Sequence, residues 1–208
     1  MRKWLGIGCV ALGLVCILLA MALVVHNHYE DINGEQASQM LLQMIQTKMD
    51  EGESVKPENR PIDKLPAALT ETIPSEMPTV SAGEYESIGI LSIPVLEIEL
   101  PVLTDWDYEK LEKAPCHYYG SYYGTDFVIA AHNYISHFRK LSELQPGDLV
   151  MFTDVTGQVH YYEVVLLETL PPTATEEMIA SGFDLSLYTC TPGGASRVTV
   201  RCKAISGH

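Results

Sequence analysis

The sequence predicts an all-β domain, closed or nearly closed into a barrel, over residues 84–208. Three observations predict it. Short runs of β-branched and apolar residues recur at close spacing. Asp154-Val155-Thr156-Gly157 separates two of them as a hairpin turn does. No strand–helix–strand rhythm and no internal repeat is visible, which favours a barrel over a parallel α/β sheet.

The strands follow in order. Ile88–Ile93 and Glu97–Val102 open the domain, and Phe127–Ala131 reads as a buried strand. Leu149–Thr153 and Val159–Leu167 are the two arms of the hairpin. Leu185–Thr189 and Arg197–Ile205 close the domain, with Pro192-Gly193-Gly194 turning the chain between them. Short helices are expected near Asp107–Lys113 and Glu176–Ser181.

Two further segments precede the barrel. Residues 1–28 are expected to form a cytoplasmic tip and an uncleaved membrane anchor, the alternative being a segment cleaved at Ala20-Met21-Ala22. Trp4 to Val25 is 22 residues without a charge, enough to cross a hydrocarbon core of ~30 Å as a helix. Arg2 and Lys3 precede it, so the N-terminus is expected in the cytoplasm and the remainder outside, as a single-pass protein. Residues 29–83 are a stalk and linker. Met40, Leu41, Met44, Ile45 and Met49 recur near a 3.6-residue period, which predicts a juxtamembrane stalk helix over 31–51. Pro57, Pro61, Pro66, Pro74 and Pro78 among acidic and polar residues predict an extended linker over 52–83, holding the barrel away from the membrane.

The formal net charge of −14 excludes nucleic acid as a partner, because phosphate recognition needs a basic face. The five cysteines show neither a disulfide framework nor zinc-ligand spacing. Outside the apolar run three remain, Cys116, Cys190 and Cys202, so at least one thiol is expected to be free.

Cys190 ends an apolar strand beside a glycine turn, where a thiol is accessible. His132 ends Phe127–Ala131, so an imidazole emerges where another buried strand does. Arg197 follows Cys190 by seven residues across a chain reversal, and Arg201 lies on the same strand face. One of the two arginines faces the thiol and the other sits farther along. Thiolate, imidazole and guanidinium together make a coherent acyl-transfer machine of nucleophile, acid/base and oxyanion stabiliser. Each residue also has a plain structural explanation as core thiol, strand-end histidine or surface charge. His117, His137 and His160 lack the placement of His132, and His160 reads as a solvated strand residue.

The chain resembles the sortase family. Ser186-Leu187-Tyr188-Thr189-Cys190, followed by the strand Ser196-Arg197-Val198-Thr199-Val200-Arg201, looks like the family's T-L-x-T-C signature and strand arginine. Phe127–His132 looks like its histidine segment, and Ile88–Pro94 like its first strand. The resemblance implies an eight-stranded barrel and a cysteine transpeptidase of Gram-positive bacteria. Such enzymes cleave an LPXTG-like C-terminal sorting signal through a thioester, then transfer the protein to an amine of the cell wall. Carried over, Cys190 is the nucleophile, His132 the acid/base, Arg197 the oxyanion stabiliser and Thr189 a groove-lining residue. No cofactor or metal is implied, and the acidic balance permits calcium without any ligand spacing that demands it.

Ser186 replaces the first Thr of the signature, Ala131 stands where many members have Gly, and the Cys190-to-Arg197 interval is short for the family. No second apolar run of spanning length follows, so an anchoring role is expected rather than pilin polymerisation. The rival readings are a cell-surface cysteine hydrolase and a non-enzymatic binding domain in which Cys190 is structural or paired to Cys202.

Overall fold

Period-two alternation and close turn spacing build the expected closed sheet. The computed structural model describes residues 2–52 and 77–205, with side chains from residue 12 onward. Among the described residues there are nine strands: β1 (Val80–Ala82), β2 (Tyr85–Ile93), β3 (Ile98–Leu103), β4 (Cys116–Tyr119), β5 (Phe127–Ala130), β6 (Leu149–Asp154), β7 (Val159–Leu170), β8 (Leu185–Cys190) and β9 (Arg197–Ala204). Eight of them close a ring in the order β2-β3-β4-β5-β8-β9-β7-β6, with β6 pairing back onto β2. β1 is a short extra strand on β2, so the sheet begins at Val80, inside the segment expected to be linker.

Ring closure depends on one glycine. The β2 register shifts between Ser87 and Gly89, where Gly89 has φ +153° and a Cβ would collide with the Thr153 carbonyl. The hairpin turn after β6 is held by Asp154, whose Oδ1 accepts the Thr156 and Gln158 backbone N–H groups. His160 is not the solvated residue expected. It is half-buried, with Nε2 3.2 Å from Asp154 Oδ2.

Most pairings are antiparallel, but β5 runs parallel to β8. Parallel neighbours end at the same edge of the barrel. The inner core includes Leu91, Phe127, Ile129, Phe138, Phe152, Leu185, Leu187, Val200 and Cys202. A second cluster, with Ile90, Leu103, Ala114, Cys116 and Ala130, lies on the outer face and meets the N-terminal helix.

That helix, α1 (Arg2–Asp50), is continuous. It contains an apolar stretch long enough to cross a membrane. The stalk expected over 31–51 is helical, but it is docked rather than free. Gly34, Ser38, Leu41 and Ile45 are buried at helical spacing against the barrel, whereas Met40 of the expected stripe is exposed. The outer faces of β1 and β3 need an apolar cover, and α1 supplies it. Most of the Pro-rich linker, residues 53–76, lies outside the described residues. Two short α-helices, α2 (Tyr108–Leu111), capped by the Asp107 side chain, and α3 (Thr175–Ile179), and two 3-10 turns at Pro94–Leu96 and Arg139–Glu143 complete the described fold.

Candidate active site

The parallel pairing of β5 and β8 decides where the site lies. Ala130 pairs with Tyr188, and the Ala131 N–H donates to the Tyr188 carbonyl at 3.2 Å. Two residues on, His132 leaves β5 beside the end of β8, where Cys190 stands. Strand β9 starts at that edge, with Arg197 directly opposite Cys190. Cys190, His132 and Arg197 line one cavity of about 180 Å³. Register therefore brings together three residues that the sequence holds 58 and seven positions apart.

The β8–β9 turn keeps Arg197 in that register. The Thr191 N–H donates to the Ser196 carbonyl at 2.9 Å, and Gly194 N–H to the Thr191 carbonyl at 2.8 Å. Gly193 and Gly194 adopt φ +81° and +75°, which an L side chain rarely does. Arg197 Nη1 donates to the carbonyls of Gly194 and Ser196, each at 3.2 Å.

Arg201 is on the same face but plays another part. It is fully buried and donates to Glu168 Oε1, Ser186 Oγ and the Glu177 carbonyl, at 2.8, 2.9 and 2.7 Å. It clips α3 and the β7–β8 loop onto the barrel. Arg201→Ala is expected to lower unfolding free energy by about 2–4 kcal/mol, because charged hydrogen bonds are lost and buried acceptors are left unpaired. Urea denaturation measures this, and an unchanged midpoint would contradict the clip.

Thr189 does not line the cavity. It is buried, and its Oγ1 donates to the Ala131 carbonyl at 2.8 Å, tying β8 to the residue before His132. Instead the walls are aromatic and apolar. Trp106, Tyr118 and Tyr188 form a chain of rings, with centroids 5.5 and 5.4 Å apart, and Pro171, Pro172 and Met178 face them from the β7–β8 loop. Sequence reading missed these aromatics. The crowding of Trp and Tyr between residues 106 and 123 was the signal available.

The three barrel thiols differ sharply. Cys116 and Cys202 are fully buried, and burial pushes both thiols up to about 12. Cys190 is partly exposed, and all the described cysteines are free. Burial lowers the His132 pKa below its ordinary value, with the carboxylates of Glu112 and Glu30 opposing. His137 is fully buried, with the Gly34 backbone of α1 beside its ring. Burial, aided by the charge on His132 and opposed by the Gly34 backbone, pushes it down to about 4. Among the described residues, no group of three or more His, Cys, Asp or Glu could hold a metal ion.

A partly exposed thiol, an imidazole and a guanidinium at one edge of a closed barrel define a candidate cysteine-nucleophile site. The model of the sortase domain matches residues 91–205, and the chain belongs to the sortase family. It is 34% identical to Sortase D of Bacillus subtilis over 79 residues, which are 36% of this chain and 39% of that protein. The matched region thus spans about two fifths of that relative's length. Sortase A from Corynebacterium diphtheriae is similar in structure, with a TM-score of 0.53 and 26% identity, covering 60% of this chain and 63% of the other. Sortase C of Streptococcus pneumoniae gives 0.53 and 28%, covering 58% and 70%.

Proposed function

We propose that this chain is a membrane-anchored cysteine transpeptidase acting on the C-terminal sorting signals of exported proteins. The carrying observation is the register-locked meeting of Cys190, His132 and Arg197 in one cavity. The Cys190 thiolate attacks the carbonyl carbon of the scissile peptide bond. Arg197 stabilises the oxyanion, and His132 protonates the leaving amine as the C–N bond breaks. A thioester remains on Cys190. An incoming amine then attacks it, His132 takes the proton, and collapse forms the new amide and restores the thiolate. The aromatic wall suits an extended peptide with apolar side chains. The apolar half of α1 anchors the enzyme, with its N-terminus in the cytoplasm and the barrel outside.

The test uses the full chain in detergent, LPXTG-like peptides and an amine acceptor, read by intact-mass spectrometry. A thioester mass on Cys190 and an amine-ligated product support the reading. Hydrolysis alone, with acceptor present, would make the chain a hydrolase. No adduct with any peptide counts against both.

Arg197→Ala is expected to lower kcat by about 10²–10³-fold, the usual cost of losing an oxyanion donor, with KM little changed. Steady-state transpeptidation measures it. Activity within a few-fold of wild type would remove Arg197 from that role.

A further inference from the structure

We propose that α1 is a positioning element of the active site: Asp31 and Gly34 set the loop after β5, and Tyr134 of that loop sets the His132 ring. The inference rests on the reading of His132 as the acid/base.

No hydrogen bond orients the His132 imidazole among the described residues. What fixes the ring is a stack on Tyr134, with centroids 5.0 Å apart and planes 27° from parallel. Tyr134 is itself wedged. Behind it lies the buried His137 ring at 5.3 Å, which itself meets the Gly34 backbone of α1. On α1, Gly34 leaves the room the tyrosine needs. A Cβ there would stand 2.8 Å from Tyr134 Cδ2 and 3.3 Å from the Glu112 carbonyl.

One turn earlier, Asp31 takes hold of the same loop. Its Oδ1 accepts the Ile135 backbone N–H at 3.1 Å, and its Oδ2 lies 3.4 Å from Arg139 Nη2. Arg139 reaches back to the Asn133 carbonyl with its Nε at 3.1 Å. Asp31 and Gly34 are three residues apart, on one helix face. Helix docking alone does not call for this arrangement, because Leu41 and Ile45 supply the apolar anchor at the other end of the contact. The contacts at 31 and 34 converge on the loop that carries the imidazole.

The titratable and charged groups around His132 are Glu30 of α1, Glu112 after α2, Tyr134 and His137 of its own loop, and Tyr188, Cys190 and Arg197 of the shared cavity. A ring tipped off Tyr134 is more exposed to water, so the acidic limb of its pH profile moves up toward the ordinary histidine value.

The test uses the full chain in detergent and measures kcat, KM, the pH profile and thermal stability. Gly34→Ala is expected to lower kcat about tenfold, raise the acidic limb and leave KM unchanged. Its Tm should fall only slightly, with the protein folded at the assay temperature, because the better helix propensity of Ala offsets part of the overpacking against Tyr134. Asp31→Arg and Arg139→Asp should each lower kcat severalfold, and the double variant should recover part of the loss, because it restores the ion pair but not the acceptor for the Ile135 N–H. Unchanged kcat and acidic limb in Gly34→Ala overturn the proposal. So does a loss that merely follows unfolding at the assay temperature, or charge variants without effect. His132→Gln separates the two failures. If it is inactive while the α1 variants are normal, only the positioning role falls. If it is fully active, the acid/base reading falls and takes this proposal with it.

Discussion

Cys190→Ala should abolish thioester formation and lower transpeptidation by at least about 10⁴-fold, the scale seen when a nucleophile is deleted from a catalytic unit. The reason is that no other barrel thiol can take over. Cys202 faces the inner core, and Cys116 is buried with its thiol directed at the Ala114 carbonyl, 3.4 Å away. Both are held as neutral thiols by burial, and only a thiolate attacks. The same contrast gives an independent measurement. Brief iodoacetamide treatment of the native protein, followed by peptide mapping, should label Cys190 and spare Cys116 and Cys202. The fold should survive the substitution, since Cys190 stands at the cavity edge and not in the core. A Cys190→Ala protein that still forms an acyl adduct would end the nucleophile assignment.

His132→Gln should lower kcat/KM by about 10²–10⁴-fold, the usual contribution of a positioned proton-transfer group. Glutamine keeps the polarity and much of the volume but moves no proton. The pH profile adds the sign. In a bell-shaped profile the acidic limb reports the lower of the apparent values. Burial disfavours imidazolium, so the limb should lie below the ordinary histidine value of ~6.5. In His132→Gln that limb should vanish along with the activity. A variant within a few-fold of wild type, with the limb intact, would show that another group moves the proton.

Strand periodicity makes seven of the nine strands legible in the sequence, because each has enough β-branched or apolar residues to declare itself. β1 and β4 are not legible there. Val80–Ala82 is three residues long, and Cys116–Tyr119 mixes a thiol, an imidazole and two phenols without alternation. The placement of Cys190 and His132 is legible because both stand where apolar runs end. Which arginine faces the thiol is not, because Arg197 and Arg201 share a face and differ only in what covers them. The β7–β8 loop buries Arg201 and leaves Arg197 in the cavity, a long-range fact. The aromatic wall and the grip of α1 are equally hidden. Both arise from contacts between segments tens of residues apart, and Gly34 looks like any helix interruption until Tyr134 is beside it.

The unbroken helix also sets a working height. A helix rises about 1.5 Å per residue, so Asp31 lies about 9 Å beyond Val25, the last residue of the apolar run, and Ile45 about 30 Å beyond it. The His132 loop grips the helix at Asp31, and the far side of the barrel grips it at Ile45. With the apolar run in a bilayer, the catalytic edge is therefore the one nearest the lipid headgroups. On the proposed function, an acceptor tethered to the membrane, or a protein whose tail has just left it, would come within reach without any swing of the enzyme, and an amine farther from the bilayer would not.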